Sequence, residues 1–562
     1  MKRSALARAI NEFRLSPPSF LLGFRRPPRI GDEDAADIDR FVRMFDEVRA
    51  APNNAPHLLI LSYLPLHYTN KMEMLLARSF QERGWKVSVM TNRSTEAFAR
   101  AYFGRLAGAK LYSIEDFLDF SDAAGIASFV KKAVATARAS IPEFKRLTYR
   151  AARIPLNAIA SLTAARPDGM LEPSERLYRD LGKTLRRSAL LINAADSLYR
   201  AIRPTLILSQ EKGFIGTCES FYAAIDLGID YVQWVSCHEP ESVMFKRYRR
   251  ENLRDHPFSV SDATWRRVRS TPWDERFRDA VLKEFERGYK SGEWFKYKRL
   301  TQDQKFADRE ALSRQLGLDP RKKTAVIYSH ILNDANLFYG DDLFPGGYEE
   351  WLVETVRAAA ENPSVNWVLK LHPANVFRNA RVGYNGEYGE LIALRHAFGS
   401  VPDFLKIVRP EEKVSPLSFF GLTDWGITVR GTIGVELPCF GVPVITAGTG
   451  RYSGKGFTVD SATVEEYLGR IRSIQRIPPL TEEQIRLGIL HAYVVFRARP
   501  ARYDAALTDT YPDEKGARQR NLALKVRSLD EVLAHPQIQD ITDFLLSKDD
   551  DFLDRAVMPA NA

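Results

Sequence analysis

The feature that most limits what this chain can fold into is an alternation that occurs twice. Short apolar runs of strand length are each followed by a stretch of helical periodicity. In the first series His57-Leu58-Leu59-Ile60-Leu61-Ser62 leads past Pro65 into a helical pattern over residues 71–83. Gly84 stops that pattern, and residues 86–91 form the next run. Residues 205–209, a helical stretch over 219–227 and the run 231–235 continue it. The second series places runs at 324–329, 366–371, 404–408, 424–429 and 442–447, with helical stretches at 349–362 and near 388–398. Strands that alternate with helices pack as parallel sheets through right-handed crossovers. The sequence therefore predicts an α/β protein with two Rossmann-like domains facing a cleft.

At 562 residues the chain exceeds what one core organises. The expected division is a basic N-terminal arm and helix over 1–50, a Rossmann-like domain over 51–260 with a helical insertion at 119–203, a linker over 261–320, a second Rossmann-like domain over 321–480, and a C-terminal helical segment over 481–562. The net charge of +10 is uneven. Residues 1–30 carry Lys2, Arg3, Arg8, Arg14, Arg25, Arg26 and Arg29 against Glu12, beside the apolar stretch 20–24. Such an arm suits an anionic membrane surface, at about 1 kcal/mol per basic residue close to it. Packing on the protein's own surface suits it equally. No finger spacing, RNA-binding aromatic signature or long basic helix supports a nucleic-acid partner. Cys218, Cys237 and Cys439 lack metal-ligand spacing, and no apolar run reaches membrane-spanning length. The expectation is a cytoplasmic protein, with peripheral attachment to the inner membrane left open.

Two strand exits carry the chemistry. Lys370 and His372 lie two apart and so share a strand face, and Pro373 ends the strand beside Asn375. An imidazole N–H there can hold a phosphate oxygen or stabilise a departing phosphate. In Arg430-Gly431-Thr432-Ile433-Gly434-Val435-Glu436, the glycines permit close backbone approach, Thr432 supplies a hydroxyl, a helix dipole follows, and Glu436 can accept from a ribose. The same residues can also form a plain strand–helix turn. Arg451 and Lys455, in a loop with four glycines over 448–456, can face phosphate, although the spacing is not that of a P-loop. His330 follows another strand and is either a phosphate contact or a satisfied loop histidine. In the first domain Glu211 and His238 follow strands and are the candidate bases for an acceptor hydroxyl. Glu211 can equally be an exposed acid paired with Lys212.

Residues 366–373, 431–436 and 441–445 together resemble bacterial capsule polysaccharide biosynthesis proteins, which are glycosyltransferases of the GT-B fold and include Kdo transferases. Lys370-Leu371-His372-Pro373 is also similar to the His-Pro motif of bacterial sialyltransferases and the Arg-x-His-Pro motif of polyol-phosphate polymerases, both users of cytidine-nucleotide donors. The resemblance spans residues 324–460. It implies that His372 and Thr432 contact donor phosphate, with Glu436 beside them. The double serine of the sialyltransferases is replaced by Gly431-Thr432, and no acidic cluster of the first domain matches those families' general base. The implied protein is a metal-independent glycosyltransferase without a cofactor. Its partners would be a nucleotide sugar, CMP-Kdo-like or other, and a polysaccharide or lipid-linked glycan acceptor. The donor would lie against Lys370, His372, Arg430, Gly431, Thr432, Gly434, Glu436, His330 and Lys455. A polyol-phosphate transferase, a nucleotide-sugar epimerase and a non-catalytic scaffold of polysaccharide assembly or export are the alternatives.

Overall fold

The computed structural model describes residues 30, 32–45, 52, 54–166, 168–291, 304–332, 336–510 and 520–558. Nearly all of the basic arm, and with it the membrane expectation, lies outside the described residues. In the first domain β1 (His57–Leu61), β2 (Lys86–Thr91), β3 (Lys110–Ser113), β4 (Leu206–Ser209) and β5 (Asp230–Ser236) run parallel in the order β5-β4-β1-β2-β3. Both faces of β1 are covered, which is why it reads as a continuous apolar run. Leu58 and Ile60 pack into a core with Met72, Phe80 and Phe98. Leu59 and Leu61 pack on the opposite side with Phe144, Leu181 and Leu185. The insertion thus supplies one layer of the domain, through helices Ala123–Ala139, Ile141–Arg146, Ile154–Ala164 and Glu175–Ile202.

Two strands of this sheet within the first domain's own segment were not expected. β3 is a short edge strand with little burial, so it carries no apolar run. β6 (Ser242–Tyr248) pairs antiparallel with β5 and is buried along its length, Lys246 and Arg247 included. Those charges disguise it as loop in the sequence.

The second domain holds β7 (Thr324–Tyr328), β8 (Asn366–Lys370), β9 (Leu405–Val408), β10 (Trp425–Thr428), β11 (Val444–Thr446) and β12 (Val459–Asp460), parallel throughout in the order β12-β11-β10-β7-β8-β9. The region expected as a linker contains helices Asp262–Val268, Glu275–Ser291 and Arg309–Leu316. Phe277, Val281 and Phe285 of the second pack against Ile489 and Phe496. The C-terminal segment is not wholly helical. After Glu482–Tyr493 the chain crosses back to the first domain, where β13 (Ala501–Arg502) pairs antiparallel with β6. β14 (Leu507–Thr510) and β15 (Asn521–Leu524) then form a hairpin.

Strand order reverses between β1 and β4 in one sheet and between β7 and β10 in the other. Open α/β sheets bind ligands at the carboxyl ends of the strands beside such a reversal. The two carboxyl edges face each other. A Cβ on Gly213, beyond β4, would lie 1.9 Å from the ring of Phe338, which follows β7. His256 N–H donates to Gly450 O at 2.7 Å, and Gly340 N–H to Arg254 O at 2.7 Å.

Candidate functional site

A cavity of about 360 Å³ opens at the carboxyl ends of β7, β8 and β10. Its polar lining, mostly cationic, is formed by Lys370, His372, Thr432, Arg451 and the backbone around Gly431. Its aromatic and apolar lining is Phe419 and Phe420 beside Pro410 and Val414, with Gln304 and Glu412 as further polar groups. His256 and Phe258 close the side toward the first domain. A site lined by both cations and aromatic faces fits a ligand that is part anion and part planar ring.

The backbone N–H of His372 donates to Ser329 Oγ at 3.1 Å, and its Nδ1 accepts the N–H of Ala374 at 3.1 Å. With Nδ1 an acceptor, Nε2 of the neutral ring carries the proton. Lys370 Nζ stands 5.2 Å from the ring centroid of Phe419. Burial pushes its ammonium down to about 8, against the pull of Glu412 and Glu436. Arg451 donates to Arg430 O at 3.2 Å and lies 5.6 Å over Phe258.

His330 lines the cavity as a structural group. Its Nε2 accepts from Thr428 Oγ1 at 3.0 Å and from the N–H groups of Val429 and Arg430 at 3.2 and 3.3 Å. The ring stacks on Tyr348 at 4.5 Å. Burial, and then the charges of His372, Arg430 and Arg451, hold it well below the usual histidine range, so it is neutral. It shapes the turn that Gly431 begins.

Other expected donor contacts are spent on the protein itself. The Arg430 side chain is buried and ion-paired with Asp342, although it borders the cavity. Lys455 pairs with Asp262 at 2.5 Å and does not line the cavity. Gly434 makes room for a ring, not a ligand, because a Cβ there would lie 2.1 Å from Tyr452 Oη, which donates to Gly431 O at 2.8 Å. The expected helix dipole is small. Ile433–Glu436 is a single turn, and the N–H groups of Gly434, Val435 and Glu436 are bonded to Gly431 O and Thr432 O. Glu436 borders the cavity and accepts from Tyr289 Oη at 2.6 Å.

The two candidate bases part company. His238 is 2% exposed, stacks edge-on against Phe496 and pairs with Glu284 at 3.4 Å, away from the cavity. Glu211 sits at the domain junction after β4, half-buried, and does not line the cavity either. It is not simply paired with Lys212 in solvent, because its Oε1 accepts the N–H groups of Lys212 and Gly213, each at 2.7 Å. Burial lifts its carboxyl above the ordinary range, and those bonds pull it back. The sequence reading missed His256, Gln304, Glu412 and the Phe419-Phe420 pair. The pair sits in the helix Pro416–Leu422, whose SFFGL reads as core.

No family model matches the sequence, and no curated protein matches it. Among solved structures, the chain is similar to Thermosulfurimonas dismutans KpsC, beta Kdo 2,4 transferase, at 16% identity over 59% of this chain and 88% of that one, with a TM-score of 0.34. A second, beta Kdo 2,7 transferase of the same KpsC, aligns at 15% identity over 62% and 89%, with a TM-score of 0.32. UDP-GlcNAc 2-epimerase from Methanocaldococcus jannaschii aligns at 13% identity over 78% and 98%, with a TM-score of 0.26. These similarities are too distant to add to what the chain's own strand order shows. Among the described residues no helix is long and apolar enough to cross a membrane.

Proposed function

We propose that this chain is a glycosyltransferase that takes a sugar from a nucleotide-sugar donor, CMP-Kdo-like or other, and delivers it to a surface polysaccharide or lipid-linked glycan. The observation that carries the reading is the cavity at the strand-order reversal of the second sheet, lined by both cations and aromatic rings. In this reading the donor's phosphate lies against His372, Thr432, Lys370 and Arg451, and its base against the Phe419 and Phe420 rings. Transfer leaves negative charge on the departing phosphate, and donors already in place stabilise it most in the transition state. Nε2–H of His372 and the Lys370 ammonium are such donors.

The acceptor is delivered from the first domain, at the carboxyl ends of its strands. Of the two candidate bases Glu211 fits better, since it stands at the domain junction while His238 is sealed behind Phe496. In the closed arrangement seen here the Glu211 carboxylate holds its own loop. It reaches an acceptor hydroxyl only if substrate displaces the bonds to Lys212 and Gly213.

Incubation of the full chain with a panel of CMP- and UDP-sugars plus glycan acceptors, followed by product analysis, tests the proposal. It expects a lengthened glycan and free nucleotide. A nucleotide sugar returned as its epimer, or no turnover with any donor, would contradict it.

A further inference from the structure

Three separated stretches of sequence meet behind His372. Ser329 leaves β7, His372 and Asn375 leave β8, and Glu390 stands in the first turn of the helix Gly389–Phe398. Glu390 is 1% exposed. Its Oε1 accepts from Ser329 Oγ at 3.0 Å and from Asn375 Nδ2 at 2.9 Å. Ser329 Oγ accepts the His372 N–H at 3.1 Å, and Asn375 N–H donates to His372 O at 3.1 Å. The peptide groups on both sides of the imidazole are therefore tied, one bond removed, to a single carboxylate oxygen.

The helix that carries Glu390 is itself wedged. A Cβ on Gly389 would lie 2.2 Å from the carbonyl of Asp168 and 3.2 Å from Leu332. Glu390 thus hangs from a fixed point and reaches the exits of β7 and β8, next to the reversal between β7 and β10. Without it Ser329 and Asn375 would each keep a buried donor with no acceptor there, a cost of about 1–3 kcal/mol per group.

We infer that Glu390 is a positioning residue that sets the His372 imidazole for the donor phosphate, acting through Ser329 and Asn375. This rests on the reading of His372 as a phosphate contact. Glu390 touches no substrate. Its role is to hold the turn so that Nδ1 receives the Ala374 N–H while the residue lines the cavity. A positioning group loosened by a fraction of an ångström weakens the interaction it supports.

A double-mutant cycle on the full chain tests this, with CMP, CDP and UDP as the titrated probes. Glu390→Ala and His372→Ala should each weaken binding about tenfold, and the double variant should bind no worse than His372→Ala alone. Glu390→Gln keeps one acceptor oxygen and should stay within about threefold of wild type. Ser329→Ala, a smaller change, covers the case in which Glu390→Ala fails to fold, and should weaken binding in the same non-additive way. Additive losses, or wild-type affinity in Glu390→Ala and Ser329→Ala, would overturn the inference. A second readout does not depend on nucleotide. With histidine ring nitrogens labelled, the His372 signal, identified by its loss in His372→Ala, should report the Nε2–H tautomer in wild type and Glu390→Gln. It should change in Glu390→Ala and Ser329→Ala. An unchanged signal there would overturn the positioning role. Absence of nucleotide binding by the wild type would instead contradict the proposed function and leave the ring signal to decide.

Discussion

Lys370 is the side chain whose charge the fold controls most directly at the cavity. Burial lowers its ammonium to about 8, so the cation is present below that pH and lost above it. Nucleotide affinity should therefore be flat from about pH 6 to 7 and fall as pH rises through 8, by roughly tenfold if the charge contributes about 1.4 kcal/mol. Lys370→Met should bind more weakly at neutral pH and lose that pH dependence in titration calorimetry. An unchanged profile in Lys370→Met would remove Lys370 from the site. Lys370 and His372 were legible in the sequence because a strand's period of two is local. Arg430 and Gly434 were misread for the opposite reason. The partner of Arg430 is Asp342, 88 residues away, and the ring that requires Gly434 belongs to Tyr452 on the next loop. Nothing near either residue announces these neighbours.

At the scale of elements, His238 shows how a strand exit can look catalytic and be structural. It leaves β5 and meets Glu284 on the helix Glu275–Ser291, which the sequence reading took for linker. Burial opposes both charges, yet Cys237 and Glu284 push His238 up to about 9, and His238 and Arg287 bring Glu284 down to about 2. The histidine is raised above its unfolded value of 6.5, so its share of stability is complete below pH 6.5 and lost as pH rises through 9. The glutamate is depressed below 4.5, so its share is complete above pH 4.5 and lost as pH falls through 2. Urea unfolding should show the wild type losing on the order of 2 kcal/mol between pH 6.5 and 9. Glu284→Gln should show a smaller loss over that window, because Cys237 still raises His238. Equal slopes in the two proteins would contradict the pairing.

For the molecule as a whole, the two-domain α/β plan was readable because each strand–helix pair is coded within a few dozen residues. The return of the chain to the first domain was not. β13 is only two residues long, and the tail is fastened by Asp551, whose partner Lys246 is 305 residues away. Asp551 accepts from Lys246 at 3.0 Å and from Ser261 N–H at 2.8 Å and is ion-paired with Arg499 at 3.3 Å, and all three charged side chains are fully buried. Asp551→Ala would leave buried Arg499 without its ion-pair partner and Lys246 with Asp255 alone, at 3.5 Å, so denaturant unfolding should show a loss of about 3–5 kcal/mol. A loss below about 1 kcal/mol would mean that the tail is not held there. The fastened tail and the Gly213–Phe338 contact keep the carboxyl edges of both sheets against one cleft, and the central claim is that a nucleotide occupies its second-domain half. Titration of CMP, CDP and UDP into the full chain tests this most directly. Wild type should bind at least one of them, and His372→Ala, with an unchanged Tm, should bind it about tenfold more weakly. Binding of none by wild type, or equal affinity in His372→Ala, would contradict the account.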